Sequence, residues 1–210
     1  MAEFQELIKE AKRGNPAAQN ETGNCYLFGT GVARDEKKAA KWFKKAASSG
    51  YPAALVNYGE RLLTGVGAKK SPEKAIYCFI QAAASGNEDG VVMLAQCLQQ
   101  ESLSESIGNA FAKYRDTGSK YAFICYKIGR CFEDGVGVDA DLSAAMIWYG
   151  SAADEGYDEA QFRMGVILLK GTDTVPENKE AGIMRLKQAA AQKHADAGRV
   201  LLALGISFDV

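Results

Sequence analysis

The chain contains a single histidine, His194, and no pair of cysteines spaced as Cys-x-x-Cys. A lone imidazole has no second imidazole with which to share a metal, so a zinc site built on Cys and His pairs is not expected. Five cysteines, Cys25, Cys78, Cys97, Cys125 and Cys131, are an odd number. Without a secretory signal they do not point to a disulfide framework. A basic excess is missing as well: 25 Lys and Arg face 26 Asp and Glu, a net charge of −1, with a pI near 6.0. That balance argues against a nucleic-acid partner, whose binders collect positive charge on one face. No apolar run approaches the roughly 20 residues of a membrane-spanning helix, so no membrane insertion is expected. The opening Met1 to Glu6 is polar and acidic rather than signal-like, and the expectation is a soluble, cytoplasmic chain. What is present is ordinary for a globular protein with a core, namely 47% hydrophobic and 24% charged residues in 210, a length for one domain or two small ones.

Internal periodicity organises the chain. Gly14, Gly50 and Gly86 are separated by 36 residues each, as are Gly23 and Gly59, Gly29 and Gly65, Gly31 and Gly67, Pro16 and Pro52, Ala39 and Ala75, Phe43 and Phe79, and Ala46 and Ala82. The same interval of 36 returns later at Gly129 and Gly165, Gly135 and Gly171, and Ala145 and Ala181. So many coincidences in one register do not arise from composition.

Each repeat resolves into two helices. From Pro16 to Phe28, small and apolar residues recur at three- and four-residue steps, with Pro where a helix start tolerates its missing N–H. Gly29-Thr30-Gly31 stops that helix, since Gly accepts the left-handed conformation. Asp35 is the expected N-cap of a second helix, Glu36 to Ser49, whose stripe is Ala39, Trp42, Phe43, Ala46 and Ala47. Ser71 and Asp141 occupy the same cap position. Glycine at 23 and alanines at 39, 46 and 47 allow close helix approach, with Trp42 and Phe43 filling the remaining space. Cys25, Cys97 and Cys131 each lie two residues beyond the repeated small residue (Gly23, Ala95, Gly129) and read as small buried apolar groups.

The spacing predicts one solenoid domain over residues 1–210: a helical cap at 2–14, repeats at about 15–50, 51–86, 87–120, 121–156 and 157–193, and a C-terminal cap over 194–210 in which 194–204 is a final first helix. The third repeat is irregular. Ala95 replaces the glycine, Glu101-Ser102-Leu103 replaces the Gly-x-Gly turn, and Ala95 to Gly129 is 34 residues. A shortened second helix or an irregular turn is expected there, with a local change of curvature. Tyr114 keeps the place of Trp42. The fifth repeat carries about one extra residue near Thr172 to Pro176.

The run Ala54 to Gly59, Gly65-Val66-Gly67, and Ala75 through Phe79, Ala82 and Ala83 to Gly86 resembles the Sel-one-like repeat, a relative of the tetratricopeptide repeat with a longer, glycine-marked turn. Ala160-Gln161 to Gly165 and Ala145 through Trp148, Tyr149, Ala152 and Ala153 to Gly156 match equally well. The resemblance covers nearly the whole chain. It implies an all-α, right-handed solenoid of helix pairs and a role in holding proteins or peptides together. Disulfides found in some secreted members do not carry over, because their paired cysteine spacing is missing.

Stacked helix pairs bury one another's apolar faces and present a concave surface lined by first helices, suited to an extended segment or a partner helix. In related tetratricopeptide repeats, concave-facing positions fall three before, one after, and four to five after the small residue. Carried onto this chain they are Asn20, Asn24 and Phe28, then Glu60 and Thr64, then Gln96, Gln99 and Gln100. The fourth repeat contributes Tyr126, Arg130, Glu133 and Asp134, and the fifth Phe162 and Lys170. Amides there can bond a peptide backbone and aromatics can anchor side chains. For any single residue, solvation or inter-repeat packing is an equal reading, so the set carries the expectation of a protein or peptide partner. No cofactor is expected.

Three other chemistries have local support. The Gly-x-Gly pairs Gly29/Gly31, Gly65/Gly67 and Gly135/Gly137 imitate phosphate loops, but a dinucleotide fingerprint follows a strand and these follow helices at the repeat period. Ser71-Pro72-Glu73-Lys74 matches the S-x-x-K of penicillin-recognising hydrolases, yet neither S-D-N nor K-T-G is present, and capping accounts for Ser71. A triad using His194 is not expected, since the repeat places that residue in an exposed loop. The Lys-rich stretches of the first repeat, Lys37-Lys38 and Lys41, Lys44, Lys45, read as solvated helix faces, with Asp35 and Glu36 suiting the helix start. Tyr51, Tyr121 and Tyr157, which open first helices, read as inter-repeat packing. A self-associating module is the remaining alternative, with Ile206, Phe208 and Val210 as an apolar end.

Overall fold

Helix starts are set by short side chains that satisfy orphan N–H groups. Asn15 Oδ1 accepts from the N–H groups of Ala17 and Ala18, Asp35 Oδ1 from Lys38 at 2.9 Å, Asn87 Oδ1 from Gly90 at 2.9 Å, Asp141 Oδ1 from Ala144 at 2.9 Å and Asn178 Oδ1 from Ala181 at 3.0 Å. Ser71 occupies the cap position of its helix, but its side chain makes no capping bond; Pro72 follows at the first helical position and removes one donor that a cap would serve. Capping therefore does not account for the Ser71 hydroxyl, contrary to the sequence expectation.

The computed structural model describes residues 2–115 and 120–208. Within them the fold is all-helical, with twelve α-helices, one 3-10 turn and no strand. The chain divides into two compact units, Met1–Gly118 and Ser119–Val210. The first holds α1 (Ala2–Lys12), α2 (Pro16–Phe28), α3 (Glu36–Ser48), α4 (Pro52–Thr64), α5 (Pro72–Ala84), α6 (Glu88–Leu98), a 3-10 turn (Glu101–Leu103) and α7 (Ser104–Arg115). The second holds α8 (Tyr121–Asp134), α9 (Leu142–Asp154), α10 (Asp158–Lys170), α11 (Lys179–Ala191) and α12 (Ala195–Ala203).

In each unit first and second helices pair, and each second helix also packs on the first helix of the next pair, the stacking of a solenoid. The pairs close around one large buried side chain. Phe43, Phe79, Tyr149 and Leu186 are all 0% exposed, and burial of each stabilises the fold by roughly 1.5–3 kcal/mol. Each lies against the repeated glycine of its first helix: a Cβ on Gly23 would stand 2.5 Å from the Phe43 ring, one on Gly129 2.6 Å from Tyr149 and one on Gly165 2.7 Å from Leu186. The turns need glycine for a second reason at Gly67, whose φ is +75° and where a Cβ would stand 2.2 Å from the Glu36 carbonyl oxygen, at the start of the preceding second helix.

The third repeat breaks this order. The helix α6 is two residues shorter than α2 and α4, and a 3-10 turn replaces the glycine turn. The second helix α7 is displaced: it scarcely touches its own α6 and packs on α5 of the repeat before. Phe111, the eighth residue of α7 as Phe43 and Phe79 are of α3 and α5, is buried, while Ala95 fills part of the space that glycine leaves elsewhere. Tyr114 meets Tyr77 of α5 edge to face at 6.4 Å. The expected irregular turn is present, while the irregularity of the second helix lies in its position more than its length.

In the fifth repeat the extra residue is taken up by a loop in which Thr172 N–H donates to the Val175 carbonyl at 2.7 Å and Val175 is buried. The C-terminal tail folds back: Ile206 and Phe208 pack against the core of Leu186, Ala189, Ala190, Ala197 and Leu201. Those two residues are therefore largely spent on the chain's own core, and Val210 lies outside the described residues. Among the described residues no helix is long and apolar enough to cross a membrane.

Candidate functional site

The helices α2 and α4 and the end of α6 carry the sequence-predicted residues of the first unit. Asn20 is buried, its Oδ1 accepting from Asn57 Nδ2 at 2.9 Å, so this amide joins α2 to α4 rather than facing outward. Asn24 is half-buried and its Nδ2 donates to Glu21 Oε2 at 3.1 Å. Phe28 ends α2 with 73% of its surface exposed, the most exposed large apolar side chain among those described. Glu60 pairs with Arg61 at 3.2 Å, Thr64 Oγ1 donates to the Glu60 carbonyl at 2.8 Å, Gln96 is half-buried, and Gln99 and Gln100 are exposed beyond the end of α6.

In the second unit the corresponding residues form a bonded cluster. Tyr126 is buried between Tyr149 and Tyr157, with ring centroids 5.8 and 5.1 Å away. Arg130 Nη2 donates to Asp134 Oδ2 at 2.6 Å, and its bonds to Tyr126 and Asp134 raise the guanidinium's affinity for its proton. Tyr149 O–H donates to Glu133, which also pairs with Arg163 at 3.4 Å. Burial and that bond hold the Tyr149 hydroxyl well above the usual phenol range. Phe162 stacks on His194 at 4.6 Å, and Lys170 is exposed at the end of α10.

His194 is not in an exposed loop. It caps α12, its Nδ1 accepting from Ala197 N–H at 3.3 Å, while its Nε2 meets Glu159 Oε2 at 3.0 Å and only 10% of its side chain is exposed. The repeat turn holds this side chain between Phe162 and Glu159, and that geometry explains why a loop residue is covered.

The position three before the small residue is thus an inter-repeat contact in Asn20, Tyr126 and Phe162 alike. Of the other sequence-predicted residues Phe28, Thr64, Gln99, Gln100, Asp134 and Lys170 are exposed, and Asn24, Glu60, Gln96, Arg130 and Glu133 are half-buried. Sequence reasoning missed Asn57, whose partner is 37 residues away. It also missed Gln19 and Gln161, whose Nε2 groups donate at 3.1 Å to the carbonyls of Ala11 and Ala153 near the ends of the preceding second helices. The signal for those two glutamines was their identical place after Ala18 and Ala160 in each repeat.

Nucleophile chemistry has little support in these surroundings. Burial pushes the Cys78 and Cys97 thiols up to about 11, leaving them protonated near neutrality. Cys25, Cys97 and Cys131 are buried as expected, Cys125 is buried as well, and Cys78 is half-buried. Among the described residues no three His, Cys, Asp or Glu side chains converge as metal ligands.

The family model described as "Sel1 repeat" matches residues 16–51, 52–87, 124–157 and 158–194, more than half of the chain, and passes over the irregular third repeat. The chain is 27% identical over 197 residues to chitin synthase regulatory factor 3 of Schizosaccharomyces pombe, a match that covers 89% of this chain and 21% of that protein. The chain therefore spans about a fifth of that relative's length. A solved structure of a protective antigen of uropathogenic Escherichia coli displaying an SLR fold is 24% identical, covers 96% of this chain and 44% of its own, and superposes with a TM-score of 0.46. A Sel1 repeat protein from Oxalobacter formigenes is 25% identical, covers 90% of this chain and 75% of its own, and gives 0.41.

Proposed function

The chain belongs to the Sel1 repeat family, and we propose on that premise that it is a non-catalytic adaptor or scaffold that binds a protein or peptide segment on the outward faces of its first helices. Sel1 repeats generally mediate protein–protein interaction. The relative that is a regulatory factor supports the same class of role.

The observation that carries the reading is Phe28. A phenyl ring left 73% exposed at the end of α2, in the same helix as the amide of Asn24, is the apolar anchor beside a hydrogen-bonding group that peptide recognition uses. Glu60 and Gln99 add polar contacts from α4 and from the end of α6. In the second unit Arg130, held by Asp134, offers a fixed guanidinium for a carboxylate or carbonyl.

The test replaces Asn24, Phe28, Glu60, Gln99 and Arg130 with Ala and compares quantitative affinity capture with the parent chain, circular dichroism verifying that both are folded. Loss of the parent's specific partners supports the reading. An unchanged partner profile from the folded variant overturns it.

A further inference from the structure

Because α7 leaves α6 and lies on α5, it supplies one wall of a pocket on α4 and α5. Lys44 of α3, Tyr58 and Leu62 of α4, Lys74, Tyr77 and Cys78 of α5, and Ala110 and Lys113 of α7 surround a concavity of about 260 Å³ in the first unit. That size lies below the roughly 300 Å³ where sites for drug-sized molecules begin, so it suits a single side chain or a small group.

The lining carries a surplus of positive charge. Three ammonium groups from three helices meet one carboxylate, Glu73, a surplus of two positive charges. Among the described residues none of the three lysines is paired with a carboxylate. Lys113 Nζ lies 4.8 Å from the centroid of the Tyr77 ring, which holds one charge over the aromatic wall. Beneath the rim, Tyr58, Tyr77, Leu62 and Ala110 present carbon, and Cys78 faces the same space as an uncharged thiol.

We propose that this pocket binds a phosphate monoester with a flat apolar stem, the phosphoryl group lying among Lys44, Lys74 and Lys113 and the stem against Tyr58 and Tyr77. A phosphate monoester carries about −1.5 to −2 charges near neutrality, which matches the surplus of two. A single carboxylate leaves one positive charge unmatched. Lysine contacts phosphate as a mobile point charge, so three exposed ammoniums can close on it without reshaping the helices. The site lies apart from the first-helix row, and neither assignment depends on the other.

Phenyl phosphate is the probe, titrated into the full chain by calorimetry with amide shifts of Tyr77 and Cys78 followed by NMR. Benzoate supplies the same stem with one charge, and inorganic phosphate supplies the head alone. Phenyl phosphate binds, and benzoate and inorganic phosphate are each weaker by about tenfold or more. The K44A/K74A/K113A variant, altered only at exposed positions, weakens phenyl phosphate by about tenfold or more, and Glu73→Gln tightens it by removing the one like charge. No binding to the parent chain, or undiminished binding to the folded triple variant, overturns the proposal. Equal binding of benzoate overturns the charge match, and equal binding of inorganic phosphate overturns the role given to the stem. Phosphotyrosine and phosphoserine peptides then separate a flat-stemmed from an aliphatic protein-borne phosphate, the former expected to bind more tightly.

Discussion

Phe79 presses so closely on Gly59 that a Cβ at that glycine would stand 2.4 Å from the ring's Cε1. The ring is fully buried and the contact joins α4 to α5, so the pair fixes how near the two helices of the second repeat approach. Gly59→Ala gains helix propensity of about 1 kcal/mol but forces about 1–3 kcal/mol of overpacking. The expected net result is a loss near 1 kcal/mol, a fall of roughly 2–4 °C in Tm for a chain of this size. Gly108→Ala in α7, where nothing lies within 4 Å, is the matched control and is stabilising by about 0.5–1 kcal/mol. Adding Phe79→Leu to Gly59→Ala recovers part of the loss, read as a coupling in a double-mutant cycle.

Asn20 was read from sequence as a partner contact, and its hydrogen bond to Asn57 at 2.9 Å makes a different prediction. Asn20→Ala leaves the Asn57 amide short of one partner in a half-buried setting and lowers stability by about 1 kcal/mol, measured as the midpoint of urea unfolding. Partner capture by the folded variant stays at the parent level. A variant of normal stability with lost capture reverses this assignment.

Much of the fold was legible because the features that set it are local and periodic. Gly29, Gly65 and Gly135 mark helix ends in left-handed geometry, as the repeat required, and Asp35 and Asp141 cap as expected. Less was legible where contacts join distant parts of the chain. The small-residue frame places Asn20 and Tyr126 on the first helices, but the direction of each side chain depends on the neighbouring helix, which supplies Asn57 in one case and Tyr157 in the other. The shortened interval of 34 residues from Ala95 to Gly129 signalled an irregular third repeat. Its consequence, the contact of α7 with α5, depends on what that helix leaves open and was not readable from the third repeat alone.

Raised thiols make the chain sensitive to alkali. Burial lifts Cys78 and Cys97 from the ordinary 9.0 to about 11. A group whose folded pKa lies above its unfolded value contributes stability that is intact below the unfolded value and is lost as pH rises through the folded one. Urea midpoints are therefore expected to decline as pH rises from 9 towards 11, with the buried Tyr149 hydroxyl adding to the loss only above its ordinary 10.0. Cys97→Ala flattens the decline between pH 9 and 10. A slope identical to the parent's removes Cys97 as its source.

The displaced helix α7 supplies the last prediction, about dynamics. A second helix in a regular repeat is held from two sides: α3 lies between α2 and α4, and α11 between α10 and α12. Among the described residues the helix α7 has one substantial neighbour, α5, and its buried side chains are Ile107, Ala110 and Phe111. Local opening free energy follows the apolar contacts that must separate, so α7 opens at less cost than α3 or α11. In amide hydrogen exchange the protected amides of Ser104–Arg115 exchange first among the second helices, while those of α5, covered by α7, remain slow. Phe111→Ala removes the largest apolar side chain that α7 buries, and exchange in α7 becomes faster while α3 and α11 keep the parent's rates. The same change loosens the pocket wall that carries Ala110 and Lys113, so phenyl phosphate binding falls in step with the loss of protection. Faster exchange in α3 or α11 than in α7 would show that α7 is held by more than its contact with α5.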